Sequence, residues 1–324
     1  MLYFESKRSD TFEPFSFKFF EYGKDDNLEP SDDHWEMYDG IKRLHQLMQE
    51  WYEDNQIYHF LGFLFFHFKQ NISFREIFND WKSQESKAEF IKALKIKMLD
   101  QLIKPYRYDN DNEVQLSNKE SLDKLKDDIS KINFNWFNES NKLTQILILM
   151  DIIYITNSKY LSRIPVDFFR PSNEDKEHIR PQTPRKDIET RNSNEWKDLV
   201  NDIEEFEGKA DLLYSLERDR ILDDHEIREI QMKLNAIGLN SIGNIVLLNL
   251  NVNRSYGNSD YGIKRIIILD NYKKERYIRP HTLNAFVKGN PDTTTDFNKW
   301  TLEDIKRNTE IISYQLDKYF KTCL

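Results

Sequence analysis

The chain has 324 residues, enough for two domains, and 39% of them are hydrophobic, enough to support packed cores. With 32% charged residues and only 9 glycines and 9 prolines, it reads as helix-rich with few long flexible linkers. The single cysteine, Cys323, excludes an internal disulfide framework and a cysteine-built zinc site, and a net charge of −9 argues against a general nucleic-acid binder.

Residues 1–34 are polar-aromatic and irregular, with acidic clusters at Asp25-Asp26 and Asp32-Asp33. Ile41, Leu44, Leu47, Met48 and Trp51 then recur on one face of a 3.6-residue period, which predicts a helix. A second helix, Ile57 to Phe68, is apolar almost all round and reads as a central core helix. Its His59 and His67 are two turns apart, so they read as core or boundary histidines rather than a metal pair. Phe90, Ala93, Leu94, Lys97 and Met98 predict a third helix, continuing to Ile103 and stopped by Pro105. Asn-rich loops near Tyr108–Glu113 and Phe134–Asn141 flank further helices. Leu143 to Ile155 reads as another buried helix, whose one acidic member, Asp151, reads as a helix–helix hydrogen-bond partner.

Acidic and basic residues within the first ten positions speak against a secretory signal, and the longest apolar stretches are too short to span a bilayer. A cytoplasmic location with no membrane partner is expected. Pro165 and Pro171 frame a polar connection, which places a domain boundary there: a helical domain at 1–165 and a second domain at 166–324. The expected fold class is mainly α with a small α+β part.

The second domain carries the chemistry. Glu177-His178-Ile179 runs straight into Arg180-Pro181-Gln182. Downstream, Gly243-Asn244 opens an apolar run, Ile245 to Leu248, that reads as a short strand, and Asn253 follows nine positions after Asn244. Between the two blocks, roughly Asn194 to Ala236, an insert of helices is expected. A carboxylate beside a histidine, then two asparagines around an apolar strand, is the residue set of an HNH nuclease. There a hairpin and a short helix, the ββα-metal arrangement, hold one divalent cation against a phosphodiester. Histidine is suited to take a proton from water near neutral pH. Carboxylate and amide oxygens suit Mg²⁺ or Mn²⁺. Adjacent positions on an extended chain point to opposite sides, so Glu177 and His178 can face different groups.

Charge is distributed unevenly around this site. From Arg254 to Arg279 seven basic residues face three acidic ones, whereas Glu195 to Glu229 holds five basic and thirteen acidic residues. Phosphate contact needs local rather than global positive charge, so DNA remains a plausible partner. The acidic stretch reads as a solvated helical face.

These blocks resemble the HNH domain of GmrSD-type proteins, modification-dependent (type IV) restriction nucleases. His178-Ile179-Arg180-Pro181 is similar to the family's His-Ile-x-Pro signature, and Gly243 to Leu248 to its Gly-Asn-Leu-x-Leu-Leu block, with Ile245 where leucine is usual. Asn253 to Asn258, the pair Lys264-Arg265, the stretch Tyr277 to Thr282, and Trp300 with Asp304 resemble the later segments. Trp51 to Leu64 is similar to the helical region that precedes the nuclease in these proteins. The family's N-terminal ParB-like module, with its Asp-Gly-Gln-Gln-Arg string, has no counterpart here.

The resemblance implies a metal-dependent endonuclease cutting DNA, in restriction or anti-phage defence. It implies His178 as general base, Glu177 and Asn253 as ligands of Mg²⁺ or Mn²⁺, and Asn244 as a residue that fixes the loop or orients the histidine. Arg254, Lys264 and Arg265 become phosphate contacts, with Asn258 in support. Glu177 stands where many HNH sites carry aspartate. Without the ParB-like module the chain reads as a split subunit whose partner carries that module, a shortened relative or a fragment of a longer protein. Tyr3, Phe4, Phe12, Phe15, Phe17, Phe19 and Phe20 would supply a docking face for such a partner or fold back onto the Ile57–Phe68 helix. The rival readings are a non-catalytic DNA- or protein-binding subunit of a split restriction system and a structural helical scaffold. DNA against RNA, the modification recognised, NTP dependence and oligomeric state are not legible.

Overall fold

The structure, a computed structural model, describes residues 32–107, 115–157, 163–170, 174–181, 193–204, 206–218, 220–249, 259–288 and 296–324. The aromatic positions between Tyr3 and Phe20, and the metal-site positions Asn253, Arg254 and Asn258, lie outside them. Among the described residues the fold is mainly helical, with about 70% helix. No helix among the described residues is long and apolar enough to cross a membrane.

The chain divides into two compact units, Met1–Leu94 and Lys95–Leu324. In the first, helix α1 (Asp32–Glu53) precedes α2 (Asn55–His67), α3 (Phe74–Ser83) and the start of α4 (Lys87–Ile103). Asp54 caps α2 by accepting the backbone N–H groups of Gln56 and Ile57. Trp51 is the hub, stacked on Phe90 at 5.3 Å and tilted against Phe74 at 5.6 Å. The face expected on α1 is only partly used. Leu47 and Trp51 are buried, but Ile41 is 41% and Met48 49% exposed. Helix α2 is a core helix as its composition predicts, and the buried His59 directs Nδ1 at the Asn55 carbonyl.

In the second unit α4 ends at Ile103, and a 3₁₀ turn, Lys104–Tyr106, holds Pro105. Helix α5 (Asn118–Ser130) starts in a capping box of Ser117 and Glu120. Helix α6 (Ser140–Asn157) buries every residue from Ile146 to Ile153. Strand β1 (Glu174–His178) pairs antiparallel with β2 (Ile245–Asn249), with Glu177 opposite Val246 and His178 opposite Ile245. Between them the chain forms α7 (Ser193–Asn201), α8 (Lys209–Leu216) and α9 (Asp224–Ala236), which share a core of their own around Trp196, Val200, Leu216, Ile230 and Leu234. Then follow α10 (Tyr261–Lys273), α11 (Pro280–Val287) and α12 (Leu302–Phe320).

A two-stranded ribbon has little stability of its own. Here β1 is polar, and β2 is buried from Ile245 to Leu248 because helices cover it. Val246 and Leu248 join Ile268, Phe286, Trp300 and Ile305 in one core. Thr282 of α11 donates its hydroxyl to the Leu247 carbonyl, and Asn308 of α12 donates to the Gly243 carbonyl. Gly243 itself lies against α12 so closely that a Cβ would overlap the Ile305 carbonyl and the Thr309 side chain.

Polar contacts cross the connection near residue 165. Asp151 of α6 accepts the Arg279 guanidinium at 2.7 Å and the His281 backbone N–H at 2.8 Å, all buried. Arg279 also donates to the Phe168 carbonyl. Asp151 is thus an anchor between α6 and α11, as its place on a buried face suggests. Burial raises its pKa, and the guanidinium opposes the rise.

Two outcomes follow for stability. Arg279→Met alone strands a buried carboxylate and should cost about 3–5 kcal/mol in urea unfolding, whereas the double variant Asp151→Leu/Arg279→Met should recover most of it. His281 is buried with neither ring nitrogen hydrogen-bonded among the described residues, and burial lowers its pKa from 6.5 to about 4. The unfolded chain then takes up the proton first, so stability present above about pH 6.5 is lost as pH falls towards 4. His281→Leu should flatten that loss by about 3 kcal/mol at pH 4 relative to pH 7. Equal pH slopes for the variant and the wild type would contradict the assignment.

Candidate active site

The two strands bring the sequence blocks together. Glu177 and His178 lie on opposite sides of β1, as alternation requires. On one side Lys264 of α10 donates to Glu177 Oε1 at 2.6 Å and to the His178 carbonyl at 2.6 Å. The lysine is fully buried; Glu177 keeps 18% of its side chain exposed. Burial lowers the lysine's pKa, and the carboxylate charge opposes that shift. Asp260, which caps α10 by accepting the Ile263 N–H, adds a second negative charge nearby.

On the other side of β1 His178 meets a different set of groups. The Phe137 ring lies stacked on the imidazole, with centroids 4.2 Å apart and an interplanar angle of 14°. Nε2 lies 2.8 Å from Asn240 Oδ1, and Asn240 in turn donates through Nδ2 to Asn235 Oδ1 at 2.8 Å. Burial pushes the His178 pKa down to about 4; the Asn240 bond opposes the shift and the Lys264 charge adds to it. The imidazole is therefore neutral near pH 7, the form that accepts a proton. Lys176, on the same side of β1, donates to Ser140 Oγ at the start of α6.

Asn244 holds the loop after β1. Its Oδ1 accepts the Arg180 N–H at 2.9 Å, and its Nδ2 donates to the carbonyls of Arg180 at 3.0 Å and Leu239 at 2.8 Å. The Asn244 carbonyl accepts the Ile179 N–H at 2.8 Å. These bonds tie the loop at Arg180 to the start of β2. Arg180 pairs beyond it with Asp202, after α7.

The two expected phosphate contacts on α10 differ in burial. Lys264, expected at a phosphate, is instead buried as the counter-ion of Glu177, because a desolvated ammonium needs an anion beside it. Arg265 is half-buried, donating Nε to the Phe286 carbonyl and lying over the Phe297 ring. Asn253, Arg254 and Asn258 lie outside the described residues. Asn240 and Phe137 escaped the sequence reading, although both sit beside stretches it singled out. Asn240 is four positions before Asn244, and Phe137 lies in the Asn-rich loop before α6.

Among the described residues no three His, Cys, Asp or Glu side chains cluster as a metal cage. The one expected ligand among the described residues, Glu177, offers the hard oxygen donor that such cations take. Glu177 commits Oε1 to Lys264 and is partly solvent-exposed, so Oε2 remains as an anionic oxygen donor.

Asn244→Ala should remove three side-chain hydrogen bonds and leave the Arg180 backbone groups unmatched. Each such bond contributes about 1 kcal/mol, and each stranded buried group costs about 1–3 kcal/mol. The check is amide hydrogen exchange: Arg180 should lose protection while the Asp151-anchored α6 keeps its own. Unchanged Arg180 exchange would remove Asn244 from this role.

No curated protein and no solved structure gives a match to the chain. The family described as GmrSD restriction endonucleases, C-terminal domain, matches residues 222–313. That segment runs from the residues just before α9 to the middle of α12 and includes Asn240, Asn244 and Lys264; Glu177 and His178 precede it. Over residues 222–313, then, this chain is similar to the C-terminal domain of the GmrSD restriction endonucleases, the family that its motifs resemble.

Proposed function

We propose that the protein is a metal-dependent endonuclease of the HNH type that hydrolyses DNA phosphodiester bonds, acting in the cytoplasm in restriction or anti-phage defence. The observation that carries this reading is His178: a neutral imidazole with Nε2 already committed to Asn240, on a strand whose next residue inward is a carboxylate. It is supported by the restriction-endonuclease match across residues 222–313. In this reading β1, β2 and α10 form the ββα unit, with the helices between the strands as an insert, and the nuclease domain spans 166–324.

The residues divide the work as follows. His178 takes a proton from water through Nδ1. Glu177 Oε2 and the Asn253 amide would hold Mg²⁺ or Mn²⁺, which when bound polarises the phosphate and stabilises its developing charge. Lys264 fixes the Glu177 carboxylate through Oε1 and orients the remaining oxygen. Asn244 keeps the His178–Arg180 backbone in place. Arg254 and Arg265 would meet phosphate, with Asn258 in support.

A second reading draws on one observation. The Glu177–Lys264 pair is complete without a cation, as in a non-catalytic subunit that retains the fold for DNA or protein binding. Plasmid nicking separates the two. The purified chain, with Mg²⁺ or Mn²⁺ and with or without a partner carrying a ParB-like module, should nick plasmid, and EDTA should stop it. His178→Ala should lower the rate about 10²–10⁴-fold, the usual cost of losing a general base, with the fold retained. Activity within a few fold of wild type would remove His178 from the chemistry.

A further inference from the structure

We infer that Asn240, held in turn by Asn235 of α9, is a positioning residue that fixes the tautomer of His178, with the proton on Nε2 and the lone pair on Nδ1. The role assigned to this tautomer in catalysis rests on the nuclease reading above; the tautomer itself does not.

The geometry is a chain of three polar side chains. His178 Nε2 and Asn240 Oδ1 are 2.8 Å apart, and an amide oxygen only accepts, so Nε2 carries the proton. Asn240 cannot turn its amide freely. Its Nδ2 donates to Asn235 Oδ1 at 2.8 Å, and the Asn240 side chain is buried at 5% exposure. A reversed amide would set Nδ2 against His178 and its oxygen against the oxygen of Asn235, so Asn240 could reverse only together with Asn235. The backbone around Asn240 is held as well, because its carbonyl accepts the Trp136 N–H at 3.1 Å. Phe137, next in sequence, stacks on the imidazole and limits ring rotation. With Nε2 occupied and one ring face covered, the basic atom left for a reaction is Nδ1.

The arrangement gives the helices between β1 and β2 a task. Asn235 is in the last turn of α9, and Asn240 is in the turn that leads from α9 into β2. The orientation of the histidine is thus set by the end of the segment that separates the two strands in sequence. That segment packs on a core of its own built from Trp196, Leu216, Ile230 and Leu234. This explains a buried Asn240 held by a half-buried Asn235 where a short apolar turn would otherwise suffice.

The test uses the full chain. Long-range proton–nitrogen NMR of ¹⁵N-labelled protein, with the His178 signals assigned by their loss in His178→Gln, reads the tautomer directly. The expected result is a protonated Nε2 and an unprotonated Nδ1 in the wild type. A protonated Nδ1 there overturns the inference, whatever the activity. In Asn240→Leu the tautomers should mix, and kcat on plasmid should fall about 10–100-fold, as for other groups that orient a functional side chain, with KM little changed. Asn240→Asp keeps an acceptor at Nε2, with Asn235 turning its amide to donate, and should restore kcat to within a few fold. An Asn240→Leu variant that is folded and retains both tautomer and kcat overturns the role, and so does an Asn240→Asp variant as impaired as Asn240→Leu. If the wild type and His178→Ala are equally inactive on DNA, the nuclease reading fails while the tautomer result stands by itself.

Discussion

A single buried ammonium organises the candidate site. Lys264 is fully enclosed, and a charge taken out of water needs a close opposite charge and filled hydrogen bonds. Glu177 and the His178 carbonyl supply both, each at 2.6 Å. To do so, β1 must turn Glu177 towards α10. Strand alternation then sends His178 to the other side, where Phe137 and Asn240 receive it. One electrostatic requirement thus sets the register of β1 and the separation of the carboxylate from the imidazole. A slip of one residue would place the imidazole beside Lys264 and the carboxylate against Phe137.

The ribbon that carries this arrangement is held from outside. Two short strands are not stable alone, and β1 offers no apolar face of its own. Three polar anchors fasten it: Asn244 to the Arg180 backbone, Thr282 to the Leu247 carbonyl, and Asn308 to the Gly243 carbonyl. The glycine in the Gly243-Asn244 block has a packing reason that differs from the reason for the asparagine beside it. Gly243 lets α12 approach, and Asn244 replaces the strand hydrogen bonds that the loop at Arg180 lacks. Two adjacent residues of one motif therefore serve two different contacts.

Much of this was legible before the structure. Helix α2, the stop at Pro105, strand β2 and the anchoring part of Asp151 followed from periodicity and from the oddity of an acid in an apolar run. The opposite orientation of Glu177 and His178 followed from alternation alone. What could not be read was long-range partnership. Ile41 and Met48 obey a helical period yet are exposed, because periodicity tells which residues share a face and not how far the neighbouring element extends over it. Asp151 reads as a helix–helix partner, but that its partner is Arg279, 128 positions away, is not written in the local pattern. Asn240 was invisible for the same reason: its meaning lies 62 positions away, at His178.

The charge argument shows the same limit most clearly. Counting from Arg254 to Arg279 gives a strongly basic stretch, which reads as a surface for phosphate. Two of those cations are interior. Lys264 neutralises Glu177 and Arg279 neutralises Asp151, and neither is open to a ligand. Lys274 is exposed but paired with Asp270, and Arg276 donates to Asn271. A sequence count adds structural cations and surface cations as equals, whereas only the latter release counterions when DNA binds. Attraction of a polyanion to this face would then depend on fewer groups than the count suggests, and in the proposed reading a divalent cation at Glu177 would be a larger share of the local positive charge. In the proposed nuclease the cation would therefore contribute to holding the phosphate as well as to activating it.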